Sequence, residues 1–132
     1  MIKFSKKRFL LLAFFMTTVL FSQAQSSLKA QLCKEWQFKG YEIMGEMQSP
    51  PEQKGDNMVF HPDHSLSALA SGDQANGKWS LDESTKIITI IPEVSQQATD
   101  FKIIEISPNK LVLEVKSEDF GGYPMRIHWT NN

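Results

Sequence analysis

The stretch that decides the fold runs from Phe101 to Lys116 and reads FKIIEISPNKLVLEVK. Its second half alternates between apolar residues on one face and mostly charged residues on the other. The apolar residues are Leu111, Leu113 and Val115, and the charged ones are Lys110, Glu114 and Lys116. Between the halves, Pro108 occupies the first central position of a turn, where its fixed φ fits. This pattern predicts two antiparallel strands with one buried and one solvated face.

Six further segments show the same alternation or a short continuous apolar run. They are Trp36–Ile43, Met58–Phe60, Leu66–Ala70, Gly77–Leu81, Lys86–Ile91 and Tyr123–Trp129. Most connections between these segments contain turn-forming residues, such as the Pro62-Asp63 and Gly121-Gly122 pairs. One helical stripe, Ser27–Leu32 with Ser27 as its N-cap, precedes the first strand. The sequence therefore predicts an all-β domain of eight antiparallel strands. We expect an up-and-down meander that hides its edges by closing into a barrel.

The N-terminus has the order of a secretory signal peptide. Four basic residues lie between positions 3 and 8, an apolar run follows from Phe9 to Phe21, and Ser22 and Ala24 are the small residues of a cleavage site. The run is shorter than the roughly 20 residues of a membrane-spanning helix, so an anchor is the weaker alternative. We expect residues 1–24 to be removed and residues 25–132 to form one exported domain, either periplasmic or secreted, with no membrane span.

The exported domain is expected to be acidic. All 15 acidic residues but only 10 of the 14 basic residues lie after Ala24, so the formal net charge falls from −1 to −5. Nucleic-acid binding needs clustered Lys and Arg, and docking on anionic lipid needs a basic face, so both are disfavoured. Cys33 is the single cysteine. We expect it to be a half-buried structural thiol, and the core must hold the fold without a disulfide.

One predicted connection is long. The segment Met44–Asn57 contains Gly45, the Pro50-Pro51 pair and Gly55, and it joins the first strand to the second. Loops of this length in a compact domain tend to be lids or flexible segments. Met44 and Met47 suit an adaptable lid because methionine side chains re-pack easily.

Four short segments of the sequence resemble, in their order and spacing, motifs of the small lipocalin-like proteins of bacterial envelopes. They are Leu32–Phe38, Met58–His64, Gly77–Asp82 and Ile106–Leu113. In that family a Trp opens the first strand, a Phe-x-x-Asp-Gly phrase joins the second to the third, and a Gly-x-Trp phrase opens the fourth. The resemblance implies a lipocalin-like β-barrel over nearly the whole of residues 25–132.

By the same resemblance, Trp36 closes the narrow end of the barrel and the Arg126 guanidinium stacks across its indole ring. From the residues alone, Arg126 equally fits an outward, solvated position. The chain departs from the family at Lys34, where larger lipocalins carry Gly, and at His64, which replaces a turn Gly. It is also too short for the C-terminal helix of longer lipocalins.

No set of residues typical of a catalytic site stands out in the sequence. The sequence therefore predicts neither an enzyme nor a bound metal or cofactor. The phrase His61-Pro62-Asp63-His64, with His128 as a further ligand, carries zinc-binding side chains, but Pro and Asp make a turn the simpler explanation. Cys33 with His128 is the one conceivable nucleophile and base pair. The carboxylates of Asp82-Glu83 and Glu118-Asp119 are expected to be solvated, without the raised pKa that acid–base catalysis uses.

Large apolar residues at alternating positions are predicted to face the barrel interior. They are Phe38, Met58, Phe60, Trp79, Phe101, Leu113 and Met125. Either they simply pack as a core, or they line a cup that holds one small apolar or amphipathic ligand, which is the leading functional hypothesis. A second hypothesis is an envelope-protein interaction module, an accessory subunit or inhibitor, with a filled barrel and an exposed apolar patch drawn from Tyr41, Phe120 or Tyr123. A barrel hydrolase or isomerase is the weakest alternative.

Overall fold

The computed structural model describes residues 27–116 and 121–132. The predicted signal peptide at 1–24, Phe120 and the Glu118-Asp119 pair lie outside the described residues. The first element is the short helix α1 (Leu28–Leu32). It begins as predicted, because the Ser27 hydroxyl accepts a hydrogen bond from the Ala30 backbone N–H at 3.1 Å. No helix in these two ranges has the length and apolar character to cross a bilayer.

Nine strands follow α1 and form one antiparallel sheet. They are β1 (Glu35–Ile43), β2 (Glu46–Gln48), β3 (Asn57–Phe60), β4 (Ser65–Ala70), β5 (Asp73–Asp82), β6 (Ile87–Pro92), β7 (Thr99–Ser107), β8 (Lys110–Lys116) and β9 (Pro124–Thr130). From β3 to β9 each strand pairs with the next along the chain, and β1 pairs with both β3 and β9. Eight strands therefore close into an up-and-down barrel, which confirms the predicted fold. Closure leaves those strands without a free edge.

The ninth strand lies inside the connection predicted as a loop. After β1, Met44 and Gly45 form a tight turn with φ values of 53° and 83°, and β2 returns beside the end of β1. A short 3-10 turn (Pro51–Gln53) then leads to β3. Positive φ at both central residues is the geometry of a two-residue hairpin whose twist matches its strands. The connection thus contains an ordered hairpin, and β2 is a strand beyond the eight that the sequence predicted.

Strand register decides which side chains face the barrel interior, because residues directly opposite each other point to the same side. Trp36, Phe60 and Trp79 belong to the inward-facing set, and each is at most 2% exposed. The other residues of this core, all at most 7% exposed, are Leu32 from α1 and Met58, Leu66, Ile88, Ile103, Leu111 and Leu113 from the strands. These residues lie toward the end of the barrel where β1 begins, which we call the closed half.

Helix α1 covers the closed half. Leu32 is fully buried, and its carbonyl accepts a hydrogen bond from the Trp36 indole N–H at 3.0 Å. On the opposite wall, the Trp79 indole N–H donates to the His61 carbonyl at 3.0 Å. The Phe60 ring packs edge-on against Trp79 with centroids 5.3 Å apart. This end of the barrel is therefore filled by side chains with their polar atoms satisfied.

Candidate functional site

The other end of the barrel, which we call the open half, is lined by apolar side chains that water still reaches. On β1 and β9, the register places Phe38 opposite Trp129, Tyr41 opposite Ile127, and Ile43 opposite Met125. Trp129 is itself opposite the fully buried Leu111 and packs against the closed half, so this series faces inward and runs from the edge of the closed half to the open end. All six of these side chains are only half-buried. Side chains that point inward yet remain partly exposed indicate a cup that opens to solvent.

Small residues occupy part of the inner face of β4 and β5. Ala68 and Ala70 on β4 pair with Ala75 and Asp73 on β5, toward the open ends of these strands. Gly77 follows two residues after Ala75 on the same face and is opposite Leu66. Ala68, Ala70, Ala75 and Gly77 carry a methyl group or no side chain, so this part of the inner face adds little bulk. Large apolar side chains on β1 and β9 together with small residues on β4 and β5 favour an apolar concavity at this end.

Beside the cup, the hydrogen-bonded pairing between β7 and β8 ends before the two strands themselves end. The β7–β8 ladder stops at Lys102 opposite Glu114, although β7 extends to Thr99 and β8 to Lys116. A groove of about 430 Å³ opens there, lined by the inward residues Thr99 and Val115 and by charged outer side chains. The two strands therefore separate beside the mouth of the cup and widen its entrance.

The connection after β2 lies across the β1 wall of the cup. The buried Asp56 fixes its end, because the Asp56 carboxylate accepts the Ser71 backbone N–H at 2.8 Å and its carbonyl accepts the Phe38 N–H at 2.9 Å. From this segment the Gln53 side chain reaches the interior, where its amide nitrogen donates to the Tyr41 hydroxyl at 2.6 Å. Beside it, a gap of about 150 Å³ lies between β1 and the connection, and Phe38 forms part of its lining.

Two buried polar atoms close to the β1 wall lack hydrogen-bond partners among the described residues. The Gln53 Oε1 and Trp129 Nε1 atoms are buried, and neither has a hydrogen-bond partner among the described residues. The Phe38 ring lies beside both groups: its centroid is 4.8 Å from that of Tyr41, which holds Gln53, and 5.7 Å from that of Trp129. We call Tyr41, Gln53 and Trp129 the polar corner. The sequence analysis did not identify it, because Gln53 lies in a segment without periodicity.

The seven predicted interior residues divide between the two halves. Phe38 and Met125 are half-buried in the open half, whereas Phe101 is half-buried opposite Ile88 and packs against the closed half. Four others are at most 6% exposed in the closed half, where they pack as core. These are Met58, Phe60, Trp79 and Leu113. The structure thus brings together an inner wall of the predicted composition, but its tryptophan is Trp129 rather than Trp79.

The lid methionines lie outside the cup. Met47 is opposite Glu42, on the outer face, and its sulfur lies 3.4 Å from the position of a Cβ on Gly40. Met44 occupies the tip of the β1–β2 turn with 72% of its surface exposed. Neither placement favours the lid role predicted for these two residues. The side chain from this connection that enters the interior is Gln53.

The predicted stack of Arg126 on Trp36 is wrong. Arg126 is opposite Glu42 and Glu114, on the outer face, and its Nε donates to the Glu114 carboxylate at 3.1 Å. Glu42 is six residues from Trp36 along β1, a separation of roughly 20 Å in an extended strand. The cation beside Trp36 is instead Lys34, whose Nζ lies 5.9 Å from the indole centroid. Trp36 does occupy the closed end, as the resemblance implied.

Three of the six exposed large apolar side chains among the described residues lie at the rim of the cup. Met44, Val94 and Tyr123 are 72%, 98% and 53% exposed, and each lies in or beside a connection at the open end. Tyr41, which was considered for an outward patch, points into the barrel instead. The rim is thus the apolar surface that a docking partner would meet first.

The histidine phrase forms the β3–β4 turn. His61 contacts the Ser67 hydroxyl at 3.0 Å, and His64 Nδ1 contacts the Trp79 carbonyl at 3.2 Å. The Asp63 carboxylate accepts two hydrogen bonds from Ser65, chiefly from its hydroxyl, and these lower the pKa of Asp63. Among the described residues, no cluster of three or more His, Cys, Asp or Glu side chains could hold a metal ion.

The other candidate catalytic groups do not converge either. His128 is opposite Gly40 and contacts the Glu42 carboxylate at 3.3 Å, whereas Cys33 lies beneath the start of β1 beside the core. Burial raises the pKa of the Cys33 thiol, and the nearby Lys29 ammonium opposes this effect. Hydrogen bonds from Ser84 lower the pKa of the exposed Asp82 carboxyl. A low carboxyl pKa is the opposite of what a general acid requires.

Two solved structures are similar to this barrel. One is a lipocalin-like protein from Bacteroides uniformis ATCC 8492, with a TM-score of 0.60 and 20% sequence identity, over 77% of this chain and 99% of the other. The second is a duf4847 family protein from Bacteroides vulgatus ATCC 8482, with a TM-score of 0.59 and 13% identity, over 76% of this chain and 94% of the other. No family model and no curated protein matches the sequence. At these identities the likeness concerns the fold, and it agrees with the resemblance seen in the sequence: the chain has the fold of the small bacterial lipocalin-like proteins.

Proposed function

We propose that this protein binds one small apolar or amphipathic molecule in the open half of its barrel. The observation that carries the proposal is that the inward side chains of Phe38, Tyr41, Ile43 and Met125 remain only partly buried while the closed half is packed. A molecule in the cup would remove this apolar surface from water, at about 25 cal/mol per Å². The export of the protein, predicted from residues 1–24, would make the ligand one met in the periplasm or outside the cell.

A substitution that fills the cup tests this proposal. Ala75 faces inward opposite Ala68, at an exposed position that a larger side chain can occupy without overpacking the core. We expect Ala75→Phe to weaken binding of diphenylhexatriene, a hydrocarbon that fluoresces when it leaves water, by about tenfold or more, because a ring replaces roughly one ring of the ligand's space. The measurement is a fluorescence titration of the purified protein.

The neighbouring residue provides the matched control. Asn76 is opposite Ser67, on the outer face, so Asn76→Phe adds the same ring outside the barrel and should leave the affinity unchanged. Equal effects of the two substitutions would place the probe elsewhere. Absence of saturable binding by the unsubstituted protein would contradict the proposal and favour the interaction module, with the exposed rim as its contact surface.

A further inference from the structure

The wall of the barrel opens sideways between β7 and β8, at a place that we call the side gap. β7 stays paired with β6 as far as Thr99, and β8 stays paired with β9 as far as Lys116. Their pairing with each other stops earlier, at Lys102 opposite Glu114. The groove of about 430 Å³ beyond that point is lined by the inner-face residues Thr99 and Val115 as well as by outer-face residues. Because side chains from both faces line one groove, the side gap leads from the outer surface toward the cup.

The two carboxylates that line the side gap are bound by residues of the flanking strands. The Asp100 carboxylate accepts the Thr89 hydroxyl of β6 at 2.7 Å. The Glu114 carboxylate accepts the Arg126 Nε–H of β9 at 3.1 Å, and the guanidinium offsets its charge. β6 and β9 lie on the sides of β7 and β8 that face away from the side gap. Both hydrogen bonds therefore draw a carboxylate away from the opening.

The two lysines of the side gap have no such partner. Lys102 and Lys116 line it from opposite strands, and within the described ranges neither ammonium forms a salt bridge. On the inner side, Thr99 adds a hydroxyl that can donate a hydrogen bond. Ammonium groups and hydroxyl donors form strong, charge-assisted hydrogen bonds with carboxylate and phosphate oxygens. The side gap thus has the chemistry of an anion site at the edge of an apolar cup.

The mouth of the cup carries the opposite charge. Glu46 is opposite the inward Ile43, and Asp73 is opposite Ala70. Both carboxylates therefore belong to the inner face, and both are exposed at the open end. Like charges repel, so an anionic group is disfavoured at the mouth. The side gap, by contrast, offers it two ammonium groups.

From these observations we infer that the side gap binds the anionic end of an amphipathic ligand whose apolar part lies in the cup. Lys102 and Lys116 attract the ionised oxygen atoms, and the Thr99 hydroxyl donates a hydrogen bond to one of them. The hydrocarbon part passes Val115 into the interior. A carboxylate and a phosphate ester share this chemistry. The inference rests on the proposed function, because it assigns the polar end of a ligand in the same cup.

The test compares ligands that share one hydrocarbon chain and differ in charge. Decanoate and decyl phosphate are anionic at pH 7, whereas 1-decanol and methyl decanoate are neutral. Each is titrated as a competitor of diphenylhexatriene, which has no polar atoms, at low ionic strength because salt screens exposed charges. We expect the double variant Lys102→Gln/Lys116→Gln to weaken binding of the anions by about tenfold, the effect of removing two exposed attractions. Binding of the neutral ligands and of diphenylhexatriene should stay within about twofold. A loss confined to decanoate or to decyl phosphate upholds the side gap and identifies which anion it prefers.

A second pair of lysines provides the matched control. Lys78 is exposed on the outer face of β5, opposite Ile91, and Lys110 is exposed at the start of β8. Lys78→Gln/Lys110→Gln removes the same two charges from places outside the side gap, so it should change every affinity by less than about twofold. Thermal unfolding of each variant checks that it is folded. Ala75→Phe, which fills the cup, should weaken decanoate and diphenylhexatriene alike, because both place hydrocarbon there.

The outcomes separate this inference from the proposed function. If the two double variants weaken the anions equally, or neither weakens them, the anion site is overturned while diphenylhexatriene binding still upholds the cup. The inference also fails if the lysine substitutions weaken decanoate but Ala75→Phe does not, since its chain would then lie outside the cup. If diphenylhexatriene does not bind at all, both the cup and the anion site beside it are contradicted.

Discussion

At the scale of single residues, burial changes the ionisation of Cys33. It follows α1 as its C-cap and is half-buried against the core beneath the barrel. Burial disfavours the thiolate and raises the thiol pKa, and the charge of Lys29 offsets only part of this effect. The sequence correctly predicted a half-buried thiol, but the direction of the shift depends on the packing of α1, which no local pattern reveals.

This shift predicts a pH dependence of stability. The folded pKa of Cys33 lies above its ordinary value of 9.0, so the contribution of the neutral thiol is fully present below about pH 9 and is lost as the pH rises through the folded pKa. We expect the urea midpoint of the unsubstituted protein to fall relative to that of Cys33→Ala between about pH 8 and pH 10. Because both proteins share every other titrating group, their difference isolates Cys33. A difference that does not change over this range would contradict the assignment.

At the scale of elements, the observed strands match the predicted ones where apolar residues alternate in the sequence. They differ from the prediction where no such alternation exists. β8 begins and ends at the residues that alternation indicated, because Leu111 and Leu113 on its inner face are buried while Lys110 and Lys116 at its two ends are exposed. All three residues of β2 are exposed, so no hydrophobic pattern marks it, and its turn uses Met44 at a positive φ, where Gly or Asn would be the usual signal. The polar corner escaped prediction for the same reason, since Gln53 belongs to this segment.

The contact between β5 and β6 shows why the Gly-x-Trp phrase needs its glycine. A Cβ on Gly77 would lie 2.6 Å from the Ile91 carbonyl oxygen and 3.2 Å from the Pro92 Cα. Both are backbone atoms that cannot rotate away. Gly77 therefore permits these two strands to approach closely next to Trp79.

We expect Gly77→Ala to destabilise the protein by about 1–3 kcal/mol, because the strands must separate to admit a methyl group. The measurement is the free energy of unfolding in urea. Ala75→Ser, two residues earlier on the same face but exposed, is the control and should change stability by less than about 0.5 kcal/mol. Equal stability of Gly77→Ala and the unsubstituted protein would mean that the close approach does not constrain β5.

At the scale of the whole molecule, the barrel joins two halves with different roles. The closed half is a packed core under α1, and it holds four of the residues that the sequence suggested for a ligand cavity. The open half combines large side chains on β1 and β9 with alanines on β4 and β5. Alternation in the sequence predicted that the seven candidate cavity residues point inward. It did not predict which end stays open, because that depends on which large and small residues meet across the barrel.

The most direct test of the account observes the methionine methyl groups by NMR during titration with diphenylhexatriene. Four methionines lie in the described ranges: Met125 lines the open half, Met58 packs in the closed half, and Met44 and Met47 lie outside the barrel. We predict that the Met125 resonance shifts most and reaches saturation, that Met58 shifts less, and that Met44 and Met47 do not move. Shifts at Met44 or Met47 without one at Met125 would contradict a ligand-binding cup.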